Sequence, residues 1–448
     1  MSEAADDVLT DARLVAWVRQ AAPYIHAFRG RAFVIAFGGE VLTTGVAQAL
    51  IHDIALLDSM GIQLVLVHGA RPQIDAEMQG RGLEPRFHNG LRVTDGPALE
   101  CVKRAMGVTR IEVEALLSQG LPNTPLAGAF LRVTGGNFVS AKPVGVEDGV
   151  DFQFTGAVRK VEAEEIRADL AQENVVLITP IAASPSGEIF NLAWEEVAEA
   201  VATAIKADKL IFLCDSGGLV DKKGRHVDAL TVEEGEHLVT AKVKQSPEVA
   251  RVLPGAMRAC RNGVGRVHFL DRARDGAMLM ELFTRDGVGT VMTRAPLARL
   301  REATAEDVGA VLNLIAPLEA DGTLVKRGRE RLEMEIERFS LLDHDGVVVG
   351  CAALYPLPRV RGEPAAAELA CLAVMPEYRR AGYGDQLRRH LEARARAQKI
   401  KRLCVLTTRT AHWFFERGFS EAGPEALPKS RRELYNYQRR SKVLVKNL

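Results

Sequence analysis

Apolar residues along the chain recur either at helical spacing or in short continuous runs. In residues 11–28 and 45–60 they return every three to four positions, which predicts two amphipathic helices. Continuous apolar runs, which predict buried strands, lie at 32–37, 63–67, 175–178 and 209–213. Because strands that are apolar throughout are covered on both faces, this alternation predicts an α/β domain of three layers with a mostly parallel sheet.

A second pattern begins after the linker-like sequence Thr-Arg-Ala-Pro at 293–296. Residues 339–350 predict a β-hairpin, and the run at 369–374 predicts a further strand that ends before a proline. A segment with helical spacing follows this strand. This arrangement predicts a separate α+β domain, and we place the two domains at residues 1–293 and 298–448.

Composition and charge narrow the class of protein. Of the 448 residues 47% are hydrophobic, and 58 basic side chains balance 58 acidic ones, which does not indicate a nucleic acid or a membrane as partner. The six cysteines form no Cys-x-x-Cys pair, which predicts a reduced compartment and no metal site. Without a signal-like N-terminus or a bilayer-long apolar run, the expected location is the cytoplasm.

The segment Arg-Arg-Ala-Gly-Tyr-Gly at 379–384 joins the predicted strand to the predicted helix. Glycine lets the backbone approach a ligand, and free N–H groups at a helix start attract an anion. The segment resembles the pyrophosphate-binding loop of the Gcn5-related N-acetyltransferases, and this implies acetyl transfer to an amine with acetyl-CoA as co-substrate. The residues that the resemblance implies for acetyl-CoA are Cys371, Leu372, Val374, Arg379, Arg380, Gly382, Tyr383 and Gly384.

Four ordered motifs of the first domain resemble the amino acid kinase family, and acetylglutamate kinases most closely. They lie at 34–39, 67–74, 90–95 and 209–224. The family's lysine before the first Gly-Gly is Ala36 here, Arg71 stands in the second glycine loop, and Glu195 stands where an aspartate is expected. Phosphoryl transfer depends on positioning and charge neutralisation, so we interpret the domain as a non-catalytic relative of the kinases.

Arginine-sensitive acetylglutamate kinases carry an extra N-terminal helix and a Glu-hydrophobic-Phe-Thr…Gly-x-Gly-Thr signature. The chain has a predicted helix around Tyr24 and the signature at 281–284 and 287–290. The resemblance implies an arginine site with Tyr24, Glu281 and the backbone near Gly287, in which a carboxylate would meet the guanidinium. The alternative is that Glu281 is solvated and Tyr24 packs in the core. In this family the helix links dimers into hexamers, so we expect a hexamer by analogy.

Acyl transfer to an amino acid needs a base, because the amine is mostly protonated at neutral pH. Glu368 begins the strand that precedes the glycine loop, and in the Gcn5-related family a carboxylate at this place serves as general base. Strand alternation predicts that Glu368 and Cys371 point to opposite faces. The backbone N–H groups of Leu372 and Val374 are expected to hold the pantetheine arm, and one of them could stabilise the oxyanion.

The tyrosine acid of most Gcn5-related enzymes is missing, since residues 413–419 contain no hydroxyl. This Trp-Phe-x-Glu-Arg-Gly-Phe run resembles bacterial N-acetylglutamate synthases, in which a hydroxyl after the preceding strand is a candidate acid. Thr407 matches that place, or it simply ends the strand. A basic stretch at 429–446, which includes Arg431, is either a solvated face or a site for an anionic substrate.

Both halves together resemble the N-acetylglutamate synthases over nearly the entire chain. The resemblance implies acetyl transfer to L-glutamate, the first step of arginine biosynthesis, with L-arginine as inhibitor. The residues that match the glutamate-binding segments are Leu324, Val325, Arg327, Arg439 and Ser441. Two other hypotheses stay open: a working acetylglutamate kinase with an accessory domain, and an arginine sensor that binds CoA without turnover.

Overall fold

Two units, Met1–Ala295 and Pro296–Leu448, divide the chain, and each has a sheet and cores of its own. The computed structural model describes residues 11–120, 124, 126–284, 287–344, 346–358, 364–379, 382–432 and 441–448. Within these residues no helix is both long and apolar enough to cross a membrane.

The strands of the first unit include the continuous apolar runs of the sequence. They are β1 Ala32–Phe37, β2 Gln63–His68, β3 Arg86–His88, β4 Leu91–Val93, β5 Val133–Thr134, β6 Val139–Pro143, β7 Val146–Glu147, β8 Val150–Asp151, β9 Gly156–Val161, β10 Val175–Ile178, β11 Ile181–Ala183, β12 Ile189–Asn191, β13 Lys209–Cys214, β14 Ala229–Thr231, β15 Arg266–Asp271 and β16 Thr290–Thr293. Eight of them form one sheet in the order β14-β16-β15-β13-β1-β2-β10-β5. In this sheet only β15 and β16 pair antiparallel, so the prediction of a mostly parallel sheet is confirmed.

Helices cover both faces of this sheet. They are α1 Asp11–Phe28, α2 Glu40–Thr43, α3 Ala47–Ser59, α4 Arg71–Gln79, α5 Gly96–Leu117, α6 Ala163–Ala171, α7 Trp194–Ile205, α8 Val232–Thr240, α9 Pro247–Arg261 and α10 Ala277–Phe283. Alternate residues of β1 enter opposite cores: Val34 packs with residues of α7 and α9, and Phe33 packs with residues of α3 and α10. Both faces of the strand are therefore buried, which is why its sequence is apolar throughout.

The second unit is built on seven strands. They are β17 Ala298–Glu302, β18 Phe339–His344, β19 Val347–Pro356, β20 Ala366–Val374, β21 Arg402–Thr407, β22 Ser420–Ala422 and β23 Lys442–Asn447, and they lie in the order β17-β18-β19-β20-β21-β23-β22. The pair β20–β21 is parallel and the others are antiparallel. The predicted hairpin at 339–350 is confirmed, since β18 and the first residues of β19 pair antiparallel.

Helices of the second unit lie on both faces of its sheet. They are α11 Val308–Ala320, α12 Arg329–Glu335, α13 Tyr383–Ala397, α14 Ala411–Phe415 and α15 Lys429–Arg432. One core contains Leu387 of α13 and Phe414 of α14, and the other contains Val311 of α11 and Leu332 of α12. Strand β20 contributes side chains to both cores, and the candidate site is built around it.

Candidate active site

A β-bulge interrupts β20 in the middle of the unit. Gly350 pairs with Val374 and Cys351 with Ala373, but Ala353 pairs with Ala370, so the register shifts between these pairs. Cys371 takes the left-handed conformation there, with φ of +52°. Two residues of β20 thus lie opposite one residue of β19, and the strand bends.

The bulge changes the direction of the side chains that follow it. Leu369 packs in the core with α13, and Ala370 faces the core with α11. Cys371, the next residue, also packs with α11, whereas strict alternation would turn it away. Glu368 precedes Leu369 and so lies on the face of Ala370 and Cys371. The expectation that Glu368 and Cys371 point to opposite faces is therefore wrong, because the bulge adds a residue to the strand.

The bend also leaves one edge of β20 open. Among the described residues β20 and β21 pair only where Ala366–Glu368 meets Arg402–Cys404. The N–H of Met375 donates to the carbonyl of Val349 on the β19 side at 2.9 Å. Because successive N–H groups of a regular strand point to alternate edges, that of Val374 points to the edge that β21 has left, whereas Leu372 adjoins the bulge. The Val374 N–H thus faces the opening between the strands.

The start of α13 lies just after this strand. Gly382 precedes the helix with φ of +76°, a conformation that suits glycine, and its carbonyl accepts from the Asp385 N–H at 3.1 Å. Tyr383 stacks on Tyr378 with ring centroids 5.7 Å apart, and Arg379 is exposed. Arg380 lies outside the described residues. The helix start combines free N–H groups with the positive end of the dipole, which suits a diphosphate.

The Trp-Phe-x-Glu-Arg-Gly-Phe run packs against this helix start. Arg417 donates to Asp385 at 3.0 Å, and its guanidinium lies 4.1 Å from the Trp413 ring centroid. A Cβ on Gly384 would lie 3.4 Å from Trp413, so the glycine allows the indole to approach closely. The aromatic run therefore holds the helix start in place and does not itself supply an acid.

Glu368 is paired with Arg431, a residue of α15. Arg431 Nε lies 2.5 Å from Glu368 Oε2, and its second donor lies 3.1 Å from Oε1. This fork is largely buried, with side-chain exposures of 13% for Glu368 and 23% for Arg431. The hydrogen bonds to Glu368 raise the pKa of Arg431. The sequence indicated the basic stretch but not this residue as the partner of Glu368.

Arg327 is a second cation of the same unit. Its guanidinium is 5.8 Å from the ring centroid of Tyr355, and its positive charge opposes the rise in the pKa of Arg431. Arg327 Nε is buried and has no hydrogen-bond partner among the described residues. A buried guanidinium N–H without an acceptor is unfavourable, so the position suits an anionic ligand.

The other residues matched to the glutamate-binding segments are placed as follows. The Leu324 N–H donates to the carbonyl of Leu318 at 2.8 Å, and Val325 is exposed. Ser441 is buried directly before β23. Arg439 lies outside the described residues. Of the residues matched to glutamate binding, Arg327 is therefore the cation that the structure describes.

Thr407 ends β21 inside a tight turn. Its Oγ1 accepts from the N–H groups of Arg409 at 3.3 Å and Thr410 at 3.0 Å. The Thr410 hydroxyl lies 2.8 Å away. These contacts account for the hydroxyl as a turn-forming group, and the arrangement adds no support for its role as an acid. Burial raises the pKa of the Cys371 thiol, at the bulge of β20, to about 11, so this thiol is neutral at pH 7.

In the first unit a cavity of about 460 Å³ lies beside the second glycine loop. Arg71 and Trp194 line it, together with an ion pair in which Arg251 Nε donates to Glu195 Oε1 at 3.1 Å. Burial and the charge of Arg251 lower the pKa of Arg71. Ala36 is fully buried in the sheet. The cations that line the cavity include Arg71 and Arg251. Neither occupies position 36, where a kinase would carry its lysine.

A second charged group of the first unit includes Glu281. Its Oε1 lies 2.7 Å from His268 Nδ1, and its Oε2 accepts from the N–H groups of Val288 at 2.8 Å and Gly289 at 3.0 Å. Lys209 Nζ lies 3.4 Å from His268 Nε2. Because Nε2 faces this ammonium, Nδ1 carries the proton and donates it to Glu281. The alternative hypothesis that Glu281 is solvated is wrong, since its side chain is 5% exposed.

Burial and the charge of Lys209 lower the pKa of His268 to about 4. Burial opposes ionisation of Glu281, but hydrogen bonds from His268 and the loop N–H groups outweigh it and lower the pKa of Glu281 to about 2. Lys209 and His268 were not identified from the sequence. A lysine at the start of the apolar run 209–213 was the available signal.

Near this group, α1 packs on α10. The Phe28 ring lies 5.8 Å from that of Phe283, and Tyr24 is one turn earlier on α1, 6.1 Å from Phe28 between ring centroids. Gly287 follows Glu281 with φ of +60°. The structure therefore brings Glu281 and Gly287 together, and it places Tyr24 on the helix that adjoins them.

Comparisons with known proteins agree with these two units. The model of the amino acid kinase family matches residues 31–271, and that of the acetyltransferase (GNAT) family matches residues 311–419. An amino-acid acetyltransferase of Ralstonia nicotianae is 50% identical over 437 residues, which cover 97% of this chain and 96% of the relative. The chain belongs to the amino-acid acetyltransferase family. One of Azotobacter vinelandii is also 50% identical, over 97% of this chain and 99% of the relative.

Solved structures extend the family relationship. The N-acetylglutamate synthase of Neisseria gonorrhoeae in complex with coenzyme A and L-arginine matches with a TM-score of 0.86 and 38% identity, over 97% of this chain and 99% of that one. The same enzyme with coenzyme A and N-acetyl-glutamate matches with a TM-score of 0.61. The predicted resemblance, fold class and enzyme class are thus confirmed: this amino-acid acetyltransferase joins an amino acid kinase fold to a GNAT domain.

Proposed function

We propose that the enzyme transfers the acetyl group of acetyl-CoA to the amine of L-glutamate, giving N-acetyl-L-glutamate and CoA. The structurally similar Neisseria gonorrhoeae enzyme is named N-acetylglutamate synthase, which supports this choice of acceptor. The single observation in this chain that carries it is Arg327, whose buried Nε has no acceptor among the described residues of the same unit. An acceptor with two carboxylates can fill such a position and still present its amine.

In this proposal Glu368 takes a proton from the substrate ammonium, directly or through water. The amine nitrogen then attacks the thioester carbonyl, a C–N bond forms, the C–S bond breaks as the CoA thiolate leaves, and the second amine proton passes to that thiolate, directly or through water. The N–H groups of Leu372 and Val374 stabilise the oxyanion and hold the pantetheine arm. Thr407 is not essential to these steps, because a thiolate leaves easily without a strong acid.

Acetyl-CoA is proposed to place its diphosphate at the start of α13. Gly382, Tyr383 and Gly384 offer backbone N–H groups there, and Arg379 and Arg380 add positive charge to the segment. The aromatic run at 413–417 supports this helix start through Arg417 and Asp385. Substitution of Arg417 is therefore expected to weaken CoA binding by loosening the helix start, although Arg417 itself does not touch the ligand.

We further propose that L-arginine binds in the first unit and inhibits transfer. Glu281 supplies a carboxylate for the guanidinium, the backbone near Gly287 supplies carbonyl acceptors, and Tyr24 closes the site from α1. His268 and Lys209 hold Glu281 in place and belong to the same proposal. The Neisseria gonorrhoeae structure with L-arginine supports a regulatory role of this kind.

The first unit is also proposed to carry out no phosphoryl transfer and to form a hexamer through α1. The ion pair of Arg251 and Glu195 in the cavity and the methyl group of Ala36 support the first statement. The exposed apolar side chains Val15, Trp17 and Val18 on α1 support the second, because such a helix face suits contact with another chain. Sedimentation analysis tests the hexamer, and a monomer at assay concentration would contradict it.

The decisive experiment measures CoA thiol release with each of the twenty amino acids. Release with glutamate well above that with the others is expected. Release with lysine or a protein, and none with glutamate, would overturn the proposed acceptor. Glu368→Gln should lower kcat by about 10²–10⁴-fold while CoA still binds. Glu337→Gln, at an exposed carboxylate of the same unit, is the matched control, and an equal effect of both variants would remove Glu368 as the base.

A further inference from the structure

The pairing of Glu368 conflicts with its proposed role. Both of its oxygens accept from the Arg431 guanidinium, at 2.5 and 3.1 Å, and both side chains are largely buried. A bidentate pair of this kind is among the strong contacts of proteins. A substrate ammonium that approaches Glu368 therefore meets a carboxylate already occupied and, beside it, a positive charge.

Release of Glu368 takes from Arg431 the carboxylate with which it forms a bidentate pair. A guanidinium left in a largely buried position without a carboxylate is unfavourable, so simple rotation of Arg431 is not a sufficient route. A carboxylate of the incoming substrate can take the place of Glu368, because the fork of Arg431 suits any carboxylate. One ion pair is then exchanged for another, and the base is freed at the moment when the amine arrives.

The α-carboxylate fits this exchange better than the side-chain carboxylate. It is attached to the same carbon as the reacting amine, so it lies beside Arg431 whenever the amine reaches Glu368. The charge of Arg327 acts on Arg431, and its buried Nε has no partner among the residues that the structure describes, which leaves it for the distal carboxylate. An amine without a neighbouring carboxylate offers Arg431 nothing in exchange.

We propose that Arg431 is a specificity-determining residue: it holds Glu368 in an ion pair until the α-carboxylate of an amino acid displaces that glutamate. This inference rests on the proposed function, with Glu368 as base, and concerns the choice of acceptor within it. The predicted consequence is that the enzyme selects α-amino acids over other amines, because only they free the base Glu368. Tighter binding is then not the only source of selectivity.

The test compares L-glutamate with γ-aminobutyrate, which is glutamate without its α-carboxylate. In the wild type, thiol release with γ-aminobutyrate is expected to stay near background. In Arg431→Gln, kcat/KM for γ-aminobutyrate should rise about tenfold, since Glu368 is no longer paired. For L-glutamate it should fall about tenfold, mainly through KM, because the α-carboxylate loses its partner. Arg432→Gln, whose guanidinium bonds only the carbonyls of Glu425 and Leu427 among the described residues, is the matched control and should leave both values unchanged.

Two results would overturn the inference. One is an equal fall of kcat/KM for both acceptors in Arg431→Gln, which indicates that Arg431 only supports the site. The other is an unchanged preference between them. A CoA titration of each variant shows that the site is folded, and Arg431→Lys, which keeps the charge but not the fork, should fall between the wild type and Arg431→Gln. Failure of the proposed function is recognised separately, since the wild type would then not acetylate L-glutamate or Glu368→Gln would keep full turnover.

Discussion

Replacement of Gly287 by alanine should separate Glu281 from the loop that it holds. Gly287 has φ of +60°, and a Cβ built there would lie 2.4 Å from Glu281 Oε2 and 3.0 Å from its Cδ. The same Oε2 accepts from the N–H groups of Val288 and Gly289. The carboxylate must move to relieve the clash, and any movement lengthens these two hydrogen bonds.

The size of the effect follows from two contributions. An alanine in the left-handed region costs about 1–2 kcal/mol. Each hydrogen bond to a charged acceptor contributes about 1.5–3 kcal/mol, and the carboxylate can keep part of this by shifting. Gly276→Ala is the matched control, because Gly276 has φ of +65° but no atom within 4 Å of its added Cβ. We expect Gly287→Ala to be less stable than this control by about 2 kcal/mol.

Urea unfolding of the two variants measures this difference, and arginine titration of thiol release measures the effector. A difference of about 2 kcal/mol at Glu281 corresponds to a loss of arginine affinity on the order of thirtyfold. Equal stability of the two variants would refute the argument that Glu281 is locked against the loop. Lower stability with unchanged inhibition by arginine would instead place the effector elsewhere.

Three further outcomes are expected. Arg327→Gln should raise KM for glutamate about 10- to 100-fold and leave KM for acetyl-CoA unchanged, and equal changes in both would contradict a role in acceptor binding. The pKa of His268 is lowered from 6.5 to about 4, so the wild type should lose stability relative to His268→Asn as pH falls between these values. The slope should be ~1.4 kcal/mol per pH unit in urea unfolding, and a pH-independent difference would be inconsistent with a neutral buried histidine. With ATP and N-acetylglutamate no ADP should form, because Ala36 cannot neutralise phosphate, and ADP above background would restore the kinase hypothesis.

Much of the fold could be predicted because its buried strands consist almost entirely of apolar residues. Strands β1, β2, β10 and β13 are covered on both faces, so only apolar residues fit them and the runs are visible in the sequence. The glycine-rich segment before α13 was also visible, since Gly382 adopts a conformation that other residues avoid.

The site was less predictable because its geometry depends on neighbouring strands. Residues 366–374 read as a regular strand, and Cys371 is not a residue type that favours positive φ. The bulge arises from the pairing of β20 with β19, a contact that local sequence does not encode. Arg431 was hidden for a similar reason, since α15 is a four-residue helix in a basic stretch without periodic apolar positions.

Glu281 and Glu368 show how partners decide what the same carboxylate can do. Glu281 accepts from two backbone N–H groups and a buried histidine, and the two N–H groups cannot leave without a rearrangement of the loop. Its position is therefore fixed, as suits the role in arginine binding that we propose for it. Among the described residues Glu368 accepts from one side chain, and a side chain can exchange its acceptor without moving the backbone. A base must be freed in each catalytic cycle, so a replaceable partner such as Arg431 is compatible with catalysis where fixed N–H donors would not be.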